Sequence, residues 1–265
     1  MRTNEIAPDI LPLRDGLALE GRAAEDVDEA WLRHCISDLG IAFVHSIQTP
    51  AAAKAVAALI GNIRTPRGAM ADAVTVIAPN EVEAGRIGLQ GFGYQPLFPH
   101  TDRTIAALPP DLVFIWCEEA SATGGVSLLV DASDVYRELC ESSPKIAEQL
   151  RQPDAVVFES DGTFIRSPVF FESELQSGRL CVRFRYDKLL YINCAYSAAI
   201  PILKATISAK ATRVRLRPGQ GYILSNTRWL HGRTGFSGSR RFMRLLIDMR
   251  RPADTGFAVR SEPWE

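Results

Sequence analysis

Two hydrophobic periods divide the chain. Up to about residue 63 the apolar positions recur at helical spacing. In EDVDEAWLRHCISDLG (25–40), Val27, Ala30, Trp31, Cys35, Ile36 and Leu39 fall near one face, between an acidic first turn and a stop at Gly40. IAFVHSI (41–47) is a short β-rich run. TPAAAKAVAALIGNI (49–63) predicts a second helix, with Thr49 as cap, Pro50 at the first position and Gly61 near the end.

After residue 105 the period shortens to two. DLVFIWCEEA (111–120) and VSLLVDA (126–132) read as strands around the turn SATGG. SDVYRELCE (133–141) and SPKIAEQL (143–150) read as short helices set between strands. AVVFES (155–160), RLCVRFRYD (179–187), TRVRLRPGQGYILSN (212–226) and RRFMRLLIDMR (240–250) are β-rich again, broken by Gly, Pro or Ser. Many short strands without long helices between them predict a mainly β fold, a sandwich or barrel, rather than a parallel α/β sheet. The expected organisation is one domain over 1–265. About 1–80 is a helical support, and about 85–250 is a β core carrying a helical and loop insert.

Composition narrows the function by exclusion. The net charge of -1 offers no electrostatic footprint for nucleic acid. The opening MRTNEIAPDILPLRDG has no apolar run of signal-peptide length, and no stretch is long enough to span a membrane, so a cytoplasmic protein is expected. Five scattered cysteines (Cys35, Cys117, Cys140, Cys181, Cys194) with no C-x-x-C argue against a disulfide framework or a zinc ribbon; free, buried thiols are expected.

Candidate chemistry begins at PHTDRT (99–104). With 31 acidic residues in 265, four histidines give roughly even odds of one H-x-[DE] by chance, so HTD alone says little. On an extended segment, however, positions i and i+2 point to one side, so His100 and Asp102 can face one ion. A distant histidine would complete a 2-His-1-carboxylate set, which leaves sites open on Fe(II) for a bidentate cosubstrate and O2. His34 reads as a surface residue of the first helix and His45 as a core or edge residue, which leaves His231, in SNTRWLHGRTGF. Nine residues on, Arg240 and Arg244 share one face of a strand, with Arg241 on the other. An inward arginine is costly unless it meets a carboxylate, which its planar fork binds bidentately.

These pieces together, PHTD at 99–102, GGVS at 124–127, SNTRWLHGRTGF at 225–236 and RRFMR at 240–244, resemble the Fe(II)- and 2-oxoglutarate-dependent dioxygenases of the taurine dioxygenase / clavaminate synthase-like superfamily. The similarity spans about residues 85–250. It implies a double-stranded β-helix, a jelly-roll barrel of cupin type, with His100, Asp102 and His231 on iron. Arg240 matches the arginine that grips the distal carboxylate of 2-oxoglutarate, and Ser127 stands where a threonine hydroxyl usually joins it. Arg244 matches a second arginine nearer the iron-side carboxylate or the substrate. The short interval between His231 and Arg240 leaves Arg241 as an alternative anchor. Ser225 replaces the usual acidic residue before Asn226. Related halogenases have Gly or Ala where this chain has Asp102, so hydroxylation, or another oxidation such as desaturation, is the implied outcome. The products are succinate, CO2 and an oxidised substrate.

The motif style leans towards a small amino acid or amino-acid derivative as substrate, with a carrier-tethered form left open. Arg103, beside a donor, and Arg185 and Asp187, in FRYD, are candidate substrate contacts. So are Tyr94, in the Gly-rich LQGFGYQPLF, and Trp229, which reads equally as core. A ligand-binding cupin without oxygenase activity and a zinc hydrolase are the rival classes; neither has a use for the arginine pair.

Overall fold

The computed structural model describes residues 10–12, 18–65, 73–250 and 256–259. Most of the opening segment, from which no signal peptide is read, falls outside them. Two helices come first. In α1 (Glu29–Asp38) the Asp28 carboxylate accepts from Trp31 N at 2.8 Å, and the buried face is Leu32, Cys35 and Ile36. The face is thus rotated from the expected one: Ala30 is exposed and Leu32 takes its place. After β1 (Ile41–His45), α2 (Pro50–Ile60) is capped by Thr49, as expected, and runs directly into β2 (Gly61–Arg64).

Two sheets face each other, antiparallel except where an edge strand of the larger, Arg22–Ala23, pairs parallel with β1. The larger runs β1, β8 (Gly221–Ser225), β5 (Leu112–Glu119), β10 (Arg241–Met249), β2, with β3 (Thr75–Ile77) also paired to β10. The smaller runs β7 (Thr212–Val214), β6 (Ser127–Asp131), β9 (Trp229–Arg233), β4 (Leu97–His100). The fold is mainly β with N-terminal helices, as expected.

Register and the two-residue period decide what each face carries. Tyr222, Ile115, Arg244 and Thr75 are successive cross-strand partners in the larger sheet, and this row lines the cavity between the sheets. The neighbouring row, Ile223, Phe114 and Leu245, is fully buried in the core shared with α1 and α2. In the smaller sheet, Ser127 and His231 line the cavity. Val130 and Leu230 point the other way, into a second core built by the insert. That insert spans residues 132–211 and contains α3 (Ala132–Ser142), α4 (Pro144–Gln149), α5 (Ala199–Ala209) and short strands.

Three expectations shift. Helix α5, AIPILKATISA, is absent from the sequence reading; its Pro201 sits in the first turn, where a missing N–H costs no helical bond. RLCVRFRYD is a strand only over Arg179–Val182, because Phe184 turns to bond Thr101 instead of a neighbouring strand. TRVRLRPGQG likewise pairs only at Thr212–Val214 before its turn, where Gly219 takes φ 81°. All five cysteines are free, but only Cys35, Cys117 and Cys181 are buried; Cys194 is exposed.

Candidate active site

His100 and His231 face each other across β4 and β9, with ring centroids 4.7 Å apart. Gly232 makes this approach possible, because a Cβ there would collide with Leu97 O and Pro99 N of β4. Asp102 is not on the strand, contrary to expectation; it lies in the turn just after β4. Side-chain clamps fix that turn. Asn226 accepts from Asp102 N at 2.7 Å and donates to Asp102 O at 3.0 Å. Thr101 is held by Phe184 through both its backbone N–H (2.8 Å) and its hydroxyl.

The result is a buried three-donor cluster, His100, Asp102 and His231, whose ligand atoms all lie within 4.8 Å of one another. Asp102 Oδ1 is 3.7 Å from His100 Nε2 and 3.9 Å from His231 Nε2. Its other oxygen accepts from Arg244 at 2.9 Å. His100 Nδ1 is 3.0 Å from Phe98 O, a contact made by Nδ1–H, which leaves the Nε2 lone pair facing the cluster. His231 Nδ1 is buried without a hydrogen-bond partner. Burial, the His100 ring and Arg244 push the His231 pKa down to about 3 against the pull of Asp102, so the imidazole is neutral near pH 7. Burial would raise the pKa of Asp102, but Arg244 and the two imidazoles outweigh it and hold the carboxyl well below its ordinary value. Neutral imidazoles and an ionised carboxylate are the ligating forms.

At the far side of the cavity sits Arg240, just before β10. It is buried, its Nε has no partner, and its guanidinium lies 3.6 Å from the Phe242 ring centroid. Burial lowers its pKa to about 10, which still leaves it cationic at neutral pH. Gly125, at φ 65°, passes so close that a Cβ would stand 3.2 Å from the Arg240 side chain and collide with Ser121 Oγ. This is the physical need behind the double glycine. Tyr222 and Ser127 line the cavity beside Arg240, and burial raises the pKa of the Tyr222 hydroxyl, so it stays a neutral donor. Arg241 alternates outward and pairs with Glu118 at the surface.

The cavity between these ends has a volume of about 880 Å³. A family model supplies the decisive comparison: the taurine catabolism dioxygenase TauD, TfdA family matches residues 9–246. The chain belongs to the TauD/TfdA family. It is therefore a 2-oxoglutarate-dependent dioxygenase of the class its motifs resemble. Several solved structures are similar in fold. Asparagine oxygenase, in complex with Fe(II), 3-hydroxyasparagine and succinate, superposes with a TM-score of 0.67 at 20% identity over 89% of this chain and 84% of that one. The non-heme iron oxygenase OrfP, with Fe and α-ketoglutaric acid, gives 0.64 at 15% over 87% and 84%. The PvcB protein from Pseudomonas aeruginosa gives 0.64 at 16% over 90% of each chain.

The remaining expected residues of this TauD/TfdA member divide. Arg103 and Arg185 line the cavity; Asp187 does not, but pairs with Arg185 from behind and accepts from Leu189 N at 2.9 Å. Two candidates are corrected. Trp229 is core, its Nε1 donating to Leu39 O at 2.8 Å, because it alternates with Leu230 onto the buried inner face. Tyr94 is exposed and stacks on Phe236, 5.2 Å between centroids, outside the cavity. The sequence reading assigns no role to Tyr222, to Asn226 or to Arg233, although the last two lie in the quoted SNTRWLHGRTGF. A tyrosine at an inward position of GYILSN is the one signal that was available. Among the described residues no helix is long and apolar enough to cross a membrane.

Proposed function

We propose that this protein hydroxylates an unactivated C–H of a small amino acid or amino-acid-derived metabolite, releasing succinate and CO2. The observation that carries the reading is the pairing of a three-donor cluster with a buried arginine, free of any acidic partner among the described residues, across one cavity. His100, Asp102 and His231 would hold Fe(II), and the donor set, two imidazoles and a carboxylate, fits that ion. The iron, with 2-oxoglutarate and O2, supplies the oxidising chemistry. Arg240 would grip the distal carboxylate of 2-oxoglutarate, with the hydroxyls of Ser127 and Tyr222 as further donors. Arg244 would keep Asp102 ionised and aimed, because it occupies the oxygen turned away from the imidazoles.

The substrate class rests on the charges around the rest of the cavity. Arg103, at φ 58° and with no side-chain partner among the described residues, and Arg185 suit a carboxylate. Glu159 and Asp161, on the insert, line the same cavity and suit an amine. Similarity in fold to an asparagine oxygenase, and to OrfP solved with (3S)-hydroxy-L-Arg, supports the same class. We take the chain to act as one domain in the cytoplasm, in keeping with its free, partly exposed thiols.

Free amino acids, each supplied with Fe(II), 2-oxoglutarate and O2, test this reading. One of them is expected to stimulate succinate formation and to gain one oxygen atom. Stimulation only by compounds lacking a carboxylate or an amine would overturn the substrate class.

A further inference from the structure

Arg233, two residues after His231, is a cation inside the protein with no acidic partner among the described residues. It is 3% exposed, and its head group donates only to backbone carbonyls: Gln95 O at 2.6 Å, Gly91 O and Thr234 O at 3.3 Å, and Gly93 O. Its other neighbour is the Phe236 ring, 4.7 Å away. A buried guanidinium left without acceptors is expensive, so the arginine and these carbonyls need each other.

Three of these carbonyls, those of Gly91, Gly93 and Gln95, belong to one cavity wall. Arg86, Gly88, Leu89 and Phe92 of that wall line the cavity, and Ile87 at its crest is exposed. The wall has no strand pairing of its own. It is closed at its base by Asn80 N to Phe92 O, 2.9 Å, and held internally by local turns. A second arginine touches it: Arg185 reaches Gly88 O at 3.5 Å, and Gly88 packs on Leu189. Arg185 adjoins Phe184, which braces Thr101 between two of the donors, and Arg233 pairs in register with Leu97 on the strand of His100. Both fastenings therefore run to the segments that carry the metal donors.

We propose that Arg233 is a positioning residue that clasps segment 86–95 over the cavity, aided by Arg185, so that the substrate side is covered only while the donor strands are in register. The clasp acts on substrate retention and on water exclusion. Its effect on turnover rests on the oxygenase reading; its effect on the wall does not.

The test uses full-length Arg233→Met and Arg233→Lys. Peptide-resolved hydrogen exchange over 86–95 is expected to quicken about tenfold in the Met variant and less in the Lys variant, with β5 unchanged. The visible band formed by Fe(II) and 2-oxoglutarate without O2 is expected to persist. With substrate, KM is expected to rise about tenfold while kcat changes less, and succinate to exceed hydroxylated product. Unchanged exchange over 86–95 in a folded Met variant would overturn the clasp. If the Met variant fails to fold, wild-type exchange over 86–95 in the Lys variant overturns it instead. A wild type that makes no succinate at all would sink the oxygenase reading, while the exchange data still decide the clasp.

Discussion

The metal end of the cavity and its covering wall are built in opposite ways. At the metal end every donor is braced: His100 by Phe98 O, Asp102 by Asn226 on its backbone and Arg244 on its carboxylate, and His231 by its place inside β9. The wall over 86–95 is held by two arginines that reach its carbonyls and by Phe236 N, which donates to Tyr94 O at 3.1 Å, and Arg103, with no side-chain partner among the described residues, lines the same cavity. The difference teaches a division of labour. Donors whose geometry must be held to a fraction of an ångström sit on paired strands or in a turn clamped to them, and of the residues proposed to meet the substrate, Arg103, Arg185 and Asp161 sit on loop segments.

That contrast can be broken at several points. The largest expected effect is at Arg240. Arg240→Ala removes a buried charge-assisted grip worth about 1.5–3 kcal/mol per bond, so KM for 2-oxoglutarate should rise about 100-fold or more. Substrate KM is expected to follow much less, and an equal loss on both would mean that the arginine does not distinguish the two ends. Next comes Arg244→Met, which frees one oxygen of Asp102. Fe(II) affinity, measured by competition with a chelator, is expected to fall about 10- to 100-fold. Unaltered affinity would show that the Asp102 carboxylate needs no such brace. The smallest effect belongs to Arg241→Ala. Its exposed pair with Glu118 is worth at most about 1 kcal/mol, and both KM values should stay as they are. A raised KM for 2-oxoglutarate there would reopen Arg241 as the anchor.

How much of this was legible in the sequence follows from what sets each position. His100, Asp102 and His231 stood out because metal donors are rare residue types, four histidines in the whole chain, and the fold does bring these three together. Arg240 stood out from Arg241 only as a member of an i, i+4 pair. Alternation along the chain puts the two on opposite faces, and the structure shows Arg240 buried beside the cavity and Arg241 paired with Glu118 at the surface. Tyr222 and Asn226 were hidden because their neighbours, Ser127 and Asp102, come from sheet register and a turn more than ninety residues away. Tyr94 was misplaced because composition marks a loop as Gly-rich and aromatic but does not say which side chains face inward. Helix α5 was missed because its apolar run carries a proline, which reads as a breaker unless the first turn is recognised.

The central claim is that Fe(II) bound by His100, Asp102 and His231 shares one cavity with 2-oxoglutarate held by Arg240. Anaerobic titration of 2-oxoglutarate into the Fe(II)-loaded protein tests it most directly, through the weak visible charge-transfer band of the chelate. The wild type should develop the band, His231→Ala should not, and Arg240→Ala should need far more 2-oxoglutarate to reach it. An iron-loaded wild type that shows no band at saturating 2-oxoglutarate would contradict the account.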